Sequence, residues 1–177
     1  MKFILLFFTL IVSILCVTAP SFASDANDAA ASLTIYDSIS KRSFTVEQLK
    51  DKLQSETIRF VHPYYDKEKT FEAFPLQNFL QVMIQGPEQA ADSRRVQFVA
   101  LDGYQSEIDW NRIFEPGGYL VFRDIEVPGW EKMEKRQVSP GPFAIVWTGK
   151  DQTWKNGYPW PWQISTIRVT ESKAAAQ

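Results

Sequence analysis

Short segments in which apolar and polar residues alternate recur along this 177-residue chain and limit the folds that it can adopt. Alternation with a period of two is typical of a β-strand that has one buried face. The pattern predicts strands at residues 33–37, 57–62, 94–101, 119–124, 142–147 and 164–169. A chain with this many short strands is expected to fold mainly as β-sheet.

A helix is predicted in the segment SFTVEQLKDKL, residues 43–53. Thr45 stands where a helix N-cap is expected, and Gln48 follows three residues later, which is the spacing of a capping box. Phe44 and Leu49 are placed for a hydrophobic staple across the same helix start. These signals predict that the helix begins immediately after Thr45.

A second helix is predicted in FEAFPLQNFLQVMIQGP, residues 71–87. Pro75 suits its first position, apolar residues follow at helical spacing, and Gly86 and Pro87 end the pattern. Two helices among short strands, with no linker or repeat between them, predict a single α+β domain with a mixed β-sheet.

The N-terminus has the pattern of a secretory signal peptide. Lys2 gives a short positive start, residues 3–17 are apolar and uncharged, and Ser-Phe-Ala at residues 21–23 is a small-residue cleavage site. We expect a signal peptide at residues 1–23 and a periplasmic product that is not inserted in the membrane after cleavage. A retained anchor is the alternative, but the apolar run is short for a membrane span.

The mature chain is expected to comprise a flexible leader at residues 24–32, the folded domain at residues 33–170 and a flexible tail at residues 171–177. The only cysteine, Cys16, lies in the predicted signal peptide. A lipid anchor on Cys16 is not expected, because the two residues before it are bulky. The mature chain therefore has no disulfide, no thiolate nucleophile and no thiolate metal ligand.

Charge and histidine content limit the classes of function. The 19 Lys and Arg residues against 21 Asp and Glu give a net charge of −2, and no long basic run supports a nucleic-acid partner. His62 is the only histidine, so no paired-histidine metal or haem site can form, and a hydrogen-bonded structural role is expected. No serine lies in a G-x-S-x-G motif. A two-carboxylate hydrolase using Glu107, Asp109 or Asp124 stays open.

Three large aromatic residues, Tyr158, Trp160 and Trp162, flank Pro159 and Pro161 just before the last predicted strand. Because proline cannot donate to a β ladder, this segment is expected to be extended and to lie outside a central strand. Two interpretations are open: the rings cap the core, or they form a wall that binds a flat ligand.

The longest segment without periodicity covers residues 125–142 and contains Trp130 among charged residues, glycine and proline. Loops of this length are usually functional or mobile. Trp130 is interpreted as a ligand lid or partner contact, with simple anchoring of the loop as the alternative.

Four motifs occur in the order FEAFPLQNFL, VALDGYQSEI, SPGPFAIVW and YPWPWQISTIRV. This order resembles the molybdopterin-binding oxidoreductase domain, which has the sulfite-oxidase fold. The resemblance covers residues 33–169 and implies a sulfite-oxidase-like mixed sheet; Ala73 stands where the family usually has glycine. The residues that match the family's pattern are Phe71, Pro75, Leu76, Asp102, Gly103, Tyr104, Gly141 and Pro142.

The sequence departs from the family at the position of its molybdenum-binding cysteine. Residues 60–63 lie near that position and contain no cysteine, and a single imidazole does not replace a soft thiolate ligand. Phe143 and Ala144 also stand where enzymatic members commonly have arginine. The resemblance therefore implies a non-catalytic periplasmic pterin-binding protein, similar to regulators that act on membrane enzymes of cyclic-di-GMP turnover. No metal is expected.

The implied ligand is a reduced pterin or a molybdopterin-like pterin, a flat heterobicycle. Aromatic faces bind such a molecule by stacking, and a carboxylate can accept its two-donor edge. The candidate aromatic contacts are Trp130, Trp147, Tyr158, Trp160, Trp162 and Tyr104 of the Asp-Gly-Tyr turn. The candidate polar contacts are Asp102, Glu107 and Asp124 for the edge, and Arg123 or Lys150 for a carbonyl or tail.

Two other functions stay open. One is an oxidoreductase, or an electron-transfer accessory subunit, that holds a molybdenum cofactor. The other is a carbohydrate-binding module, because exposed tryptophans also stack on sugar rings. The partner expected from the resemblance is the periplasmic part of a membrane signalling protein.

Overall fold

Nine strands and three short α-helices form the regular structure of residues 31–84 and 94–171, the part of the chain that the computed structural model describes. In chain order the elements are β1 (Ser32–Tyr36), β2 (Lys41–Thr45), α1 (Val46–Lys50), β3 (Glu56–His62), β4 (Lys67–Pro75), α2 (Leu76–Met83), β5 (Arg94–Ala100), β6 (Gln105–Asp109), α3 (Trp110–Ile113), β7 (Gly118–Asp124), β8 (Ala144–Trp147), a 3-10 helix (Trp154–Asn156) and β9 (Ile164–Glu171).

The predicted signal peptide lies outside the described residues, as do most of the predicted leader and tail. Ser32 and Glu171, which we assigned to the leader and the tail, belong to the first and last strands. No helix in the described ranges is long and apolar enough to cross a lipid bilayer.

The chain folds as one α+β domain, as predicted, but its strands form two sheets instead of the single mixed sheet that was expected. The larger sheet has the order β2-β1-β9-β5-β6 and is mixed, because β1 and β9 run parallel while the other neighbours are antiparallel. The smaller sheet has the order β3-β4-β7-β8 and is entirely antiparallel. Each of the six predicted strands is confirmed, whereas β2, β4 and β6 were not predicted.

The predicted capping box of α1 is confirmed. The Thr45 hydroxyl accepts the Gln48 backbone N–H at 3.3 Å, and the Gln48 side chain accepts the Thr45 N–H at 3.0 Å. These bonds satisfy two N–H groups that have no partner within the helix. The helix ends at Lys50, and Leu49 is fully buried.

The prediction for α2 was wrong at its beginning. Residues 71–75 continue strand β4, where Phe74 pairs with Leu120 of β7, so Pro75 is the N-cap and not the first helical residue. Pairing with β7 supplies hydrogen-bond partners for the backbone groups of these residues, which in a helix would bond within the segment itself. The helix ends at Met83, and the predicted stop at residues 86–87 lies outside the described residues.

Two apolar clusters lie on opposite faces of the smaller sheet. Alternate residues of its strands divide between them, as the period of two requires. The larger cluster lies between the two sheets and the helices and includes Leu33, Ile35, Leu49, Phe74, Phe79, Phe98, Leu120, Trp147, Ile164 and Ile167. The second cluster consists of Ile58, Tyr65, Phe71, Ala73, Val121, Met133 and Val146. The half-buried Trp160 packs against both clusters.

Candidate ligand-binding site

The second cluster is covered by two irregular segments instead of another sheet. One is the long segment 125–142, and the other is the proline-broken segment 158–163. The second segment lies outside every strand, as predicted, and runs beside β8 with a bond from the Ile145 N–H to the Pro161 carbonyl at 2.9 Å. The site described below lies where these two segments meet the end of β3.

His62 is the last residue of β3 and packs among aromatic rings. Its side chain is only 5 % exposed, and its Nδ1 accepts the Tyr64 backbone N–H at 3.2 Å. Burial, with a smaller effect from the positive charge of Lys69, lowers the pKa of His62 from 6.5 to about 4. The imidazole is therefore neutral at pH 7, with its proton on Nε2. The surrounding rings are Phe60, Tyr64, Tyr65, Phe71 and Trp160.

A fully buried lysine lies next to this group of rings. Lys69 Nζ is 2.8 Å from Asp124 Oδ2, 3.0 Å from Glu126 Oε2 and 2.8 Å from Glu131 Oε2. Burial alone would lower the pKa of Lys69, but hydrogen bonds to the three carboxylates outweigh it and raise that pKa. The ammonium is therefore charged and has one acceptor for each of its three protons.

Glu131 joins segment 125–142 to strand β4. In addition to Lys69, its carboxylate contacts Lys67 Nζ at 2.6 Å, and its backbone carbonyl accepts the Tyr65 hydroxyl. Hydrogen bonds from Lys67 and then from Lys69 lower the pKa of Glu131, so the carboxylate is ionised at neutral pH. Two cations and one phenol of the β3–β4 region therefore hold this segment in place.

Apolar contacts complete the attachment of segment 125–142. Trp130 packs on Phe71, with ring centroids 6.2 Å apart, and Met133 is almost fully buried in the second cluster. Gly141 passes so close beneath Trp130 that an added Cβ would lie 2.2 Å from the indole nitrogen. Only glycine allows this approach without displacing the ring. These contacts support the alternative interpretation of Trp130, that it anchors the segment, over a ligand lid or partner contact.

A cavity of about 500 Å³ opens beside the attached segment. Trp162 does not line the cavity itself but packs against two residues that do. Its ring meets Tyr64 edge to face, with centroids 5.3 Å apart, and the Arg136 guanidinium carbon lies 5.0 Å from its ring centroid. The residues that line the cavity are Pro63, Tyr64, Met133, Lys135 and Arg136. The cavity thus combines aromatic and cationic groups.

The sequence matches no protein-family model and no curated protein.

The predicted aromatic contacts divide between the site and the core. Trp130, Trp160 and Trp162 pack against the second cluster, near the cavity. Trp147 and Tyr158 belong to the larger cluster, where their rings meet edge to face at 5.0 Å. Trp147 is 2 % exposed and donates its indole N–H to the Pro159 carbonyl at 2.7 Å, so it acts as a core residue.

The predicted polar contacts are dispersed. Asp102 accepts the Tyr104 N–H at 2.9 Å in the exposed β5–β6 turn, and Glu107 pairs with Arg95 at 3.4 Å on the larger sheet. Arg123 pairs with Glu72 at 2.7 Å. None of these side chains lines the cavity, and the exposed Lys150 does not line it either.

Asp124 is the predicted polar contact that lies nearest the site, and both of its oxygens are engaged. Oδ1 accepts the Glu126 N–H at 3.0 Å, while Oδ2 pairs with Lys69. Its side chain is fully buried. Asp124 therefore fixes the beginning of segment 125–142.

None of the five cavity-lining residues was predicted from the sequence: Pro63, Tyr64, Met133, Lys135 and Arg136. Three of them lie in the aperiodic segment 125–142, whose length did indicate a functional loop. Their individual roles depend on the folded arrangement of that loop. Among the described residues, no group of three or more His, Cys, Asp or Glu side chains is arranged to hold a metal ion.

Proposed function

We propose that this protein is a non-catalytic binder of a small, flat heterocycle of the pterin class. The observation that carries the proposal is the cavity of about 500 Å³ lined by Tyr64, Lys135 and Arg136. Trp162 packs against both Tyr64 and Arg136. This volume falls within the range of roughly 300–1,000 Å³ that is usual for small-molecule sites.

The chemistry of a pterin suits these side chains. Its flat rings offer a face that Trp162 or Tyr64 can stack on, a contact worth about 0.5–1.5 kcal/mol beyond the area buried. Its ring carbonyl is an acceptor for the Arg136 guanidinium or the Lys135 ammonium. Both rings are half-buried, so part of each surface is available to a ligand.

The groups beside the cavity favour binding over catalysis. His62 is neutral at pH 7, packed among rings and committed through Nδ1 to the backbone of Tyr64. The nearby carboxylates of Asp124 and Glu131 are paired with Lys69. No acid or base among these three is free to exchange a proton with a bound molecule.

The residues present do not fit the molybdenum of the enzymes that the sequence resembles. The chain has no cysteine after Cys16, and the one imidazole, His62, is buried with Nδ1 engaged. A soft metal bound through thiolate would find no such ligand here.

The wider proposal is a periplasmic ligand sensor that acts on a membrane signalling protein, possible partners including a cyclic-di-GMP enzyme. Its support is the signal-peptide pattern at residues 1–23 and the family resemblance of residues 33–169. The pterin-binding step can be tested without the partner.

Calorimetric titration of the purified protein with tetrahydropterin tests the proposal. We expect saturable binding of one molecule per chain and no competition by oligosaccharides. Trp162→Ala is expected to weaken binding about ten- to a hundredfold, the loss of one stacking face and its buried area. Trp154→Ala is the matched control, because Trp154 is 68 % exposed and, unlike Trp162, packs against neither Tyr64 nor Arg136.

Absence of saturable binding to the wild-type protein would overturn the proposal. Equal loss of affinity in both tryptophan variants would show that the ligand does not bind beside Trp162. Competition by an oligosaccharide would instead favour a carbohydrate-binding module.

A further inference from the structure

Two exposed cations at the cavity have no carboxylate partner among the described residues. Lys135 and Arg136 both line the cavity, and neither forms one of the ion pairs found within residues 31–84 and 94–171. By contrast, Lys67 and Lys69, which lie beneath the same segment, are both paired with Glu131. The positive charge at the cavity is therefore not neutralised by these carboxylates.

Arg136 faces the aromatic side of the cavity. Its guanidinium carbon lies 5.0 Å from the Trp162 ring centroid. Burial raises the pKa of Tyr64, and the positive charge of Arg136 offsets part of that effect. A flat ligand on Trp162 would therefore lie within reach of this cation.

The backbone that carries the two cations is held in a tight turn. Met133 pairs with Val138 as an isolated β-bridge, and the Arg136 and Gln137 N–H groups donate to the Met133 carbonyl at 3.0 and 2.7 Å. Met133 is buried under the turn, while the side chains of Lys135 and Arg136 point away from the core and are exposed. Attachment of this turn at both ends reduces the ordering that a ligand would have to impose.

We propose that Lys135 and Arg136 bind an anionic substituent of the ligand, so that the site selects flat heterocycles bearing a phosphate or a carboxylate over neutral ones. This inference rests on the proposed function, because it concerns the same cavity. A guanidinium binds either anion through two parallel hydrogen bonds, and an ammonium adds a point charge. The cation–π contact with Trp162 orients the Arg136 guanidinium beside the cavity, where it can bind the anion.

The test compares three probes by calorimetry: neopterin, whose side chain is neutral, neopterin monophosphate and pterin-6-carboxylate. We expect the wild-type protein to bind at least one anionic probe about ten- to a hundredfold more tightly than neopterin at low salt. Raising the ionic strength should lower the affinity for the anionic probe and leave the affinity for neopterin nearly unchanged. The preferred anionic probe then distinguishes phosphate from carboxylate.

The variants are Lys135→Gln and Arg136→Gln, with Lys155→Gln as the matched control. Lys155 is an exposed cation 5.7 Å from the Trp154 ring and does not line the cavity. Arg136→Gln should reduce affinity for the anionic probe about tenfold more than affinity for neopterin, for which Arg136 supplies at most a hydrogen bond to the ring carbonyl. Lys155→Gln should change neither.

The outcomes separate the two proposals. Equal affinity for all three probes, without salt dependence, overturns the anionic preference and leaves pterin binding intact. Failure of every probe to bind overturns both. Preference for an anion that survives in Lys135→Gln and in Arg136→Gln overturns the assignment to these residues. Because both side chains are exposed, both variants should keep the wild-type urea midpoint, so that a change in affinity reports on the ligand.

Discussion

Lys69 Nζ lies 2.8 Å from Glu131 Oε2, and this contact attaches the segment that lines the cavity to strand β4. The lysine is fully buried, whereas the glutamate is partly exposed and also contacts Lys67. Met133, Lys135 and Arg136, which follow Glu131 along the chain, line the cavity. The positions of the cavity-lining residues therefore depend on the ion pairs that Glu131 forms with Lys67 and Lys69.

Lys69→Met should lower the free energy of unfolding by about 3–5 kcal/mol. The ammonium neutralises Asp124, which is itself fully buried and would be left as an unpaired charge. Arg59→Gln is the control, since the Arg59–Glu68 pair between β3 and β4 is exposed and should contribute less than about 1 kcal/mol. Urea unfolding measures both, and losses of similar size would contradict the structural importance of the buried pair.

Glu131→Gln should loosen segment 125–142 more than it destabilises the whole domain. The variant removes the charge that joins Lys67 and Lys69 to this segment while keeping the side-chain size. Hydrogen exchange of the backbone amides at residues 133–138 should become faster, because local opening needs fewer contacts to break. The control is Glu134→Gln, an exposed position in the same turn. Unchanged exchange in Glu131→Gln would show that Met133 and Trp130 suffice to hold the segment.

Stability should decrease between pH 7 and pH 5 because of His62. Its pKa is lowered to about 4 in the folded protein from 6.5, so the unfolded chain takes up the proton first. The stabilising contribution is complete above about pH 6.5 and is lost as the pH falls towards 4. The expected loss between pH 7 and pH 5 is about 2 kcal/mol. Urea unfolding of the wild type and of His62→Gln measures it; parallel pH curves would contradict the prediction.

Trp147→Ala should destabilise the fold by about 3–5 kcal/mol, because the indole is fully packed in the larger cluster and its N–H would lose the Pro159 carbonyl. Trp154→Ala should cost less than about 0.5 kcal/mol, because its ring is mostly exposed. Thermal and urea unfolding compare the two. A small loss in Trp147→Ala would mean that the larger cluster closes around the vacated space.

Gly141→Ala should displace Trp130, since the added methyl group would lie 2.2 Å from the indole nitrogen. Trp130 can move outward, but it then loses its contact with Phe71 and exposes the second cluster. We expect a shift of tryptophan fluorescence towards the solvent-exposed range together with lower stability. Wild-type fluorescence and stability in this variant would show that the neighbouring backbone accommodates the methyl group.

Elements that are stabilised by contacts between residues close together in the sequence could be predicted from the sequence. The capping box of Thr45 and Gln48 was predictable because both partners lie within one helical turn. Strand β4 was not, because its inward positions are Lys69, Phe71 and Ala73. Because Lys69 occupies one of these buried positions, the sequence does not show the usual alternation of apolar and polar residues, and the segment was interpreted as a charged loop. Its burial is possible only because distant carboxylates, Asp124 among them, supply its partners.

The candidate site could be predicted only in part for the same reason. Trp162 was identified from the two prolines that precede it, Pro159 and Pro161, which restrict the local backbone. Arg136 carries no such signal, and its position over Trp162 follows from the attachment of the whole segment through Glu131. Trp147 and Trp162 cannot be separated by residue type or spacing; only the packing assigns the first to the core and the second to the cavity.

The larger sheet has β9 at its centre, between β1 and β5, although β9 is the last strand in the chain. Ile167 pairs with Ile35 on one side and with Phe98 on the other. A ribosome makes the chain from its N-terminus, so the residues of β1, β2, β5 and β6 are made before the strand that joins the two pairs. Without β9, the β1 and β5 edges have no partner. The larger sheet can therefore close only after the residues of β9, Ile164–Glu171, have been made.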